Sequence, residues 1–143
     1  MSGAALDRAW LTANLPHQGS MNLLDAIVTW DTTRLTAVAR GHRDDRHPLR
    51  RDAMLPVACA IEYGAQAAAA HGALVDQRPS GAGFLAAARS VAFHAERLDD
   101  VEADLEIAVE CLGGSETGVL YRFALSAAGR PLAEGRLTVA FAR

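Results

Sequence analysis

Glu62 has the setting in this chain that most invites chemistry. It is the one fully charged side chain in the run 54–75 (MLPVACAIEYGAQAAAAHGALV), where Cys59, Tyr63, Gln66 and His71 are the other polar groups. A carboxyl in such company is costly unless it is paired, protonated or beside a polar cavity. Burial is expected to raise its pKa and suit it to donating a proton near neutral pH. A structural carboxyl bonded to the backbone or to an arginine is the alternative. Gln66 lies one turn on, on the same helical face, where it can orient Glu62 or a water, or serve structure alone.

Two further groupings could meet a negatively charged ligand. At the start of the run, the N–H groups of Val57 and Ala58 fall in a first helical turn, where donors are unpaired and the helix dipole is positive. They could hold an oxygen on which charge develops, or simply be capped or hydrated. Arg40, Arg43, Arg46, Arg50 and Arg51 form a basic cluster diluted by Asp44, Asp45 and Asp52. It reads either as an anion dock or as solvated loop charge. No metal-ligand spacing and no phosphate-binding glycine loop appears.

These residues need a scaffold. Residues 56–74 read as one long helix: Pro56 suits a first helical position, the alanines favour helix, and a helix apolar on nearly all faces must be buried on nearly all faces. Residues 4–15 read as a short helix or irregular arm. Residues 23–30 and 33–40 read as strands joined by a tight turn at Asp31-Thr32, and 41–53 as a polar loop. After a loop at 76–81 come strand-like runs at 83–95, 104–112, 118–127 and 130–142, with turn residues at Gly113-Gly114 and Gly129. The order β-β-α-β-β-β-β with one buried helix calls for an antiparallel sheet curled around that helix. Such a sheet leaves an edge and a helix end for a second subunit, so a homodimer is expected.

Length and composition set limits. The 143 residues fit one domain spanning 1–143, and with half of them hydrophobic a core needs neither metal nor disulfide. A net charge of −3 and a pI near 5.9 argue against a general nucleic-acid binder. Cys59 and Cys111 lack metal or redox spacing and read as buried thiols of a reducing compartment. The opening residues MSGAALDRAW do not resemble a signal peptide, and Glu62 interrupts the best candidate membrane span. A cytoplasmic protein is expected.

The motifs carry a resemblance. Leu15-Pro16-His17 followed by Met21-Asn22-Leu23-Leu24-Asp25 is similar to the Pro-His-x-x-x-x-Leu-Leu-x-Asp signature of 3-hydroxyacyl-ACP dehydratases. Pro56, Glu62 and Gln66 match the helix opening Pro-x-x-x-x-x-Glu-x-x-x-Gln of that family, and residues 87–93 (AARSVAF) occupy its strand after the helix. The string 61–67 (IEYGAQA) with His71-Gly72-Ala73-Leu74 resembles the divergent branch encoded with aryl-polyene and related lipid pathways. The family's His-Phe-x-Gly segment is met only by His47-Pro48-Leu49-Arg50-Arg51, without the glycine and one residue further from Glu62.

The resemblance implies the hotdog fold, an α+β architecture with the curved sheet around the central helix. It also implies dehydration of a 3-hydroxyacyl thioester on acyl carrier protein to the trans-2-enoyl thioester. His47 is the favoured base for the α-proton, with His17 as competitor. Glu62, from the partner subunit as the family implies, protonates the leaving hydroxyl. Val57 and Ala58 polarise the thioester. Arg43, Arg46, Arg50 and Arg51 dock the carrier protein or its phosphopantetheine phosphate. No dissociable cofactor is needed. A thioesterase using Glu62 as base for water is the second reading, and a non-catalytic subunit supporting an active hotdog partner the third; homodimer and heterodimer both stay open. His42, His71 and His94 read as structural or solvated.

Overall fold

The computed structural model describes residues 2–3, 5–17, 19–77 and 83–141. Its elements are β1 (Ser2–Gly3), α1 (Arg8–Asn14), β2 (Ala26–Asp31), β3 (Arg34–Ala39), α2 (Ala60–Asp76), β4 (Gly83–Phe93), β5 (Leu105–Gly114), β6 (Gly118–Ala127) and β7 (Arg130–Phe141). The strands form one antiparallel sheet in the order β1-β2-β3-β5-β6-β7-β4. The strand that follows α2 therefore pairs at the far edge from β3, and the chain crosses one face of the sheet through the helix. α2 packs on β3, β5, β6 and β7.

The sheet bends because its ladders are interrupted. Register shifts occur at Ile27/Thr29, Leu85/Ala87, Arg89/Ala92, Cys111/Gly113 and Leu125/Ser126, and each such irregularity adds twist. Ser90, inside the β4 shift, has φ 53°. Helix and sheet meet closely at Phe123, which is fully buried. A Cβ at Gly64 would lie 2.9 Å from Phe123 Cγ, and one at Gly135 would lie 3.1 Å from Phe123 Cε1. The ring thus fills space that two glycines leave open.

Several boundaries differ from the sequence expectation, each for a local reason. The α-helix begins at Ala60; Pro56 keeps an extended ψ of 147° and precedes a 3-10 turn, Val57–Cys59. β2 starts at Ala26 rather than 23, because Met21 and Leu23 bond a glutamine side chain instead of a strand. β3 starts at Arg34, after an Asx turn in which Asp31 Oδ1 accepts from the N–H groups of Thr33 and Arg34, both at 2.8 Å. β4 ends at Phe93, and β5 runs on to Gly114. The two-residue β1 was not expected. In the expected arm, α1 is capped by Asp7, whose Oδ1 accepts from Trp10 N–H at 3.1 Å. Ala4, Ala142 and most of the expected 76–81 loop lie outside the described residues.

Among the described residues, no helix is long and apolar enough to cross a membrane, and no cluster of potential metal ligands occurs. Cys59 and Cys111 are unbridged and half-buried.

Candidate active site

Glu62 sits in the first turn of α2 and faces the segment 15–25 that precedes β2. His17, on that segment, places Nε2 3.5 Å from Glu62 Oε1. Gln66, one turn along the helix, is fully buried and fixed by three hydrogen bonds. Its Oε1 accepts from Leu23 N–H at 2.8 Å, while its Nε2 donates to Met21 O at 2.8 Å and to Glu62 Oε1 at 3.3 Å. Those backbone partners leave the amide only one orientation, so it presents N–H to Glu62. Both neighbours therefore meet the same carboxylate oxygen. Oε2 carries no hydrogen bond among the described residues, and the side chains of Glu62 and His17 are only 34% and 27% exposed. Glu62 thus offers one anchored oxygen and one unclaimed oxygen beside an imidazole.

The charge of Glu62 differs from the sequence expectation. Burial does push its pKa up, but the His17 contact, and behind it the Gln66 N–H, hold it below the usual glutamate value. Donors aimed at the carboxylate outweigh its desolvation. The resting group is ionised at neutral pH, not a ready proton donor. With Nε2 turned to a carboxylate, the neutral His17 tautomer carries its proton there and leaves a lone pair on Nδ1, which is buried without a partner.

His47 is placed elsewhere. Its Nδ1 accepts from Leu49 N–H at 3.1 Å, so Nε2 bears the proton and donates to Tyr63 Oη at 2.9 Å. Tyr63 is fully buried and neighbours Glu62 on the helix, so its side chain leaves the axis about 100° away. Burial lowers the pKa of His47 and keeps it neutral. Within one chain, then, it is His17 and not His47 that meets Glu62, and both nitrogens of His47 are engaged in packing the 41–53 loop onto α2.

The expected oxygen-binding donors change too. Val57 N–H is not free; it donates to Glu96 O at 3.1 Å. Ala58 is exposed in the 3-10 turn. Most of the arginine cluster is internally engaged. Arg50 donates to the carbonyls of Asp44, Ala53 and Arg43 at 2.8, 3.0 and 3.0 Å and is nearly buried. Arg43 bonds Glu102 O, and Arg46 pairs with Asp44 at 3.3 Å. Arg51 is exposed, and its side chain makes no hydrogen bond or ion pair among the described residues.

The other histidines are structural or at the surface. His42 donates from Nε2 to Val101 O at 2.8 Å, and His71 bridges Tyr121 Oη and Asp31 O, both at 2.9 Å. His94 pairs with Glu134 at 3.0 Å on the exposed face. No residue pattern pointed directly to the Gln66 clasp on Met21 and Leu23. Its trace was the recurrence of two motifs, one in the 15–25 segment and one in the helix, which this clasp joins.

The family model of the ApeP-like proteins, described as ApeP dehydratase, matches residues 10–142. The chain belongs to the ApeP-like dehydratase family. Its backbone is similar to that of the dehydratase heterocomplex ApeI:P from Xenorhabdus doucetiae, with a TM-score of 0.79 at 24% identity over 93% of this chain and 91% of that one. It is also similar to AziG from S. sahachiroi (TM-score 0.60, 16% identity, 82% and 90% coverage). A thioesterase from Pseudomonas aeruginosa gives a TM-score of 0.55 at 17% identity, covering 80% and 78%. These structural likenesses establish the hotdog fold shared by ApeP-like proteins and thioesterases. No curated protein sequence matches the chain.

Proposed function

We propose that this ApeP-like chain dehydrates a 3-hydroxyacyl thioester carried on acyl carrier protein to the trans-2-enoyl thioester, with His17 and Glu62 as its acid–base pair. The observation that carries the reading is the contact of His17 Nε2 with Glu62 Oε1 at 3.5 Å, with Oε2 left unclaimed. His17 Nδ1 takes the α-proton, giving an enolate; the imidazolium passes its Nε2 proton to Glu62. As the enolate collapses to the C2=C3 double bond, the C3–O bond breaks and Glu62 gives its proton to the departing hydroxide as water. One proton enters the pair and one leaves it.

The resemblance to ApeI:P supports a second hotdog chain as partner, and in that assembly His47 remains a candidate toward a partner's site. Arg46 and Arg51 are the cluster members best exposed to a carrier protein or its phosphate. The test is Glu62→Gln and His17→Ala, assayed for enoyl thioester from a 3-hydroxyacyl-ACP with and without a hotdog partner. Loss of turnover in both is expected; full activity in the Glu62 variant overturns the mechanism.

The ionised state of Glu62 also favours a thioesterase reading, since a carboxylate can activate water directly. Release of free carrier thiol instead of enoyl thioester decides for it. Fold alone does not separate the two.

A further inference from the structure

An enolate needs a donor at its oxygen, and the helix-start N–H of Val57 already serves Glu96 O. An unclaimed donor lies on the backbone segment that Gln66 ties to Glu62. Asn22 is 2% exposed, and neither its Nδ2 nor its Oδ1 has a hydrogen-bond partner. A buried polar group left unmet costs about 1–3 kcal/mol, and folds seldom retain one without a ligand or another partner to meet it. Met21 O and Leu23 N–H, on either side of Asn22, clasp the Gln66 amide that reaches Glu62 at 3.3 Å. His17, whose Nδ1 is likewise buried and unmet, lies on the same segment. The Asn22 amide and His17 Nδ1 are therefore unmet polar groups on the one segment that Gln66 ties to Glu62. The segment is fastened by side chains: Gln66, and Arg8 donating to Leu24 O at 2.7 Å and to Gly19 O at 3.1 Å.

We propose that Asn22 Nδ2 donates a hydrogen bond to the thioester carbonyl oxygen of the substrate. The inference rests on the dehydratase reading above. Negative charge grows on that oxygen as the α-proton leaves, and a neutral amide donor stabilises it without exchanging a proton.

The test is Asn22→Leu, close in size and without polar atoms, assayed on a 3-hydroxyacyl-pantetheine thioester. The expected result is a kcat lower by about 100-fold or more, as for other single oxyanion donors, with KM little changed. The Tm should hold or rise, because the unmet amide is gone. A second measurement follows the Asn22 side-chain NH2 resonances, identified by their absence in the leucine variant. In a Glu62→Gln background, where turnover is expected to be lost, they should shift when the same thioester is added. Unchanged kcat, a fall in Tm with kcat intact, or resonances that ignore the ligand would each overturn the proposal. The NMR arm reports on Asn22 even if activity assays refute the dehydratase mechanism.

Discussion

Replacing Gln66 with leucine tests whether the clasp between α2 and the 15–25 segment builds the site. Gln66 is fully buried, and the change removes three hydrogen bonds while keeping similar bulk. The Leu23 N–H is left buried and unpaired, at about 1–3 kcal/mol. The Met21 carbonyl is partly buried and loses less, because Met21 itself is exposed and water can reach its backbone. The sum is about 2–4 kcal/mol. For a domain of this size each kcal/mol moves Tm by roughly 2–4 °C, so calorimetry should show a drop of about 5–15 °C. The same change removes one of the two donors on Glu62 Oε1, so the Glu62 pKa, followed by carboxyl-carbon NMR, should rise toward its ordinary value. A Tm within 2 °C of the parent (roughly one kcal/mol or less) together with an unmoved Glu62 pKa would refute the clasp.

Two further outcomes follow from the packing. His42, His47 and His71 are buried with pKa values lowered chiefly by desolvation, so the unfolded chain binds their protons more readily. Their contribution is intact above about pH 6.5 and is lost as pH falls below it toward the folded-state values. Urea denaturation should therefore show stability declining between pH 7 and 5, where ordinary carboxylates stay ionised; a flat profile would contradict their burial as neutral rings. Gly64→Ala places a methyl 2.9 Å from Phe123 Cγ and 3.1 Å from Leu137 Cδ1, which should destabilise by about 1–3 kcal/mol. Pairing it with Phe123→Leu should recover part of that loss in a double-mutant cycle.

The helix was legible because apolar side chains on all faces admit few placements, and Glu62 and Gln66 were legible because four-residue spacing puts them on one face. The strands were legible from alternation and turn residues, though not the bulges that bend them, which depend on how neighbouring ladders meet. Which histidine meets Glu62 within one chain was not legible from position alone. His47 precedes the helix closely in sequence, yet its imidazole is drawn to Tyr63, a residue whose hydroxyl needs a partner once buried. His17 is far away in sequence and reaches Glu62 only because the 15–25 segment is clasped by Gln66. Val57 read as a free donor because local counting sees only the helix; the acceptor, Glu96 O, lies beyond β4.

The resting charge of Glu62 alters how the pair must work. A protonated carboxyl in an apolar pocket could donate at once, and the histidine would need only to accept. Here the acid form is disfavoured because His17 and Gln66 both point hydrogens at Oε1. In the proposed dehydration, Glu62 acts as an acid only after His17 has acted as a base, through the contact they share. Proton abstraction and hydroxide departure are thus tied to one transferable proton. In the proposed step Oε1 receives the proton from His17, and the carboxyl must turn that O–H toward the departing hydroxide before water can form.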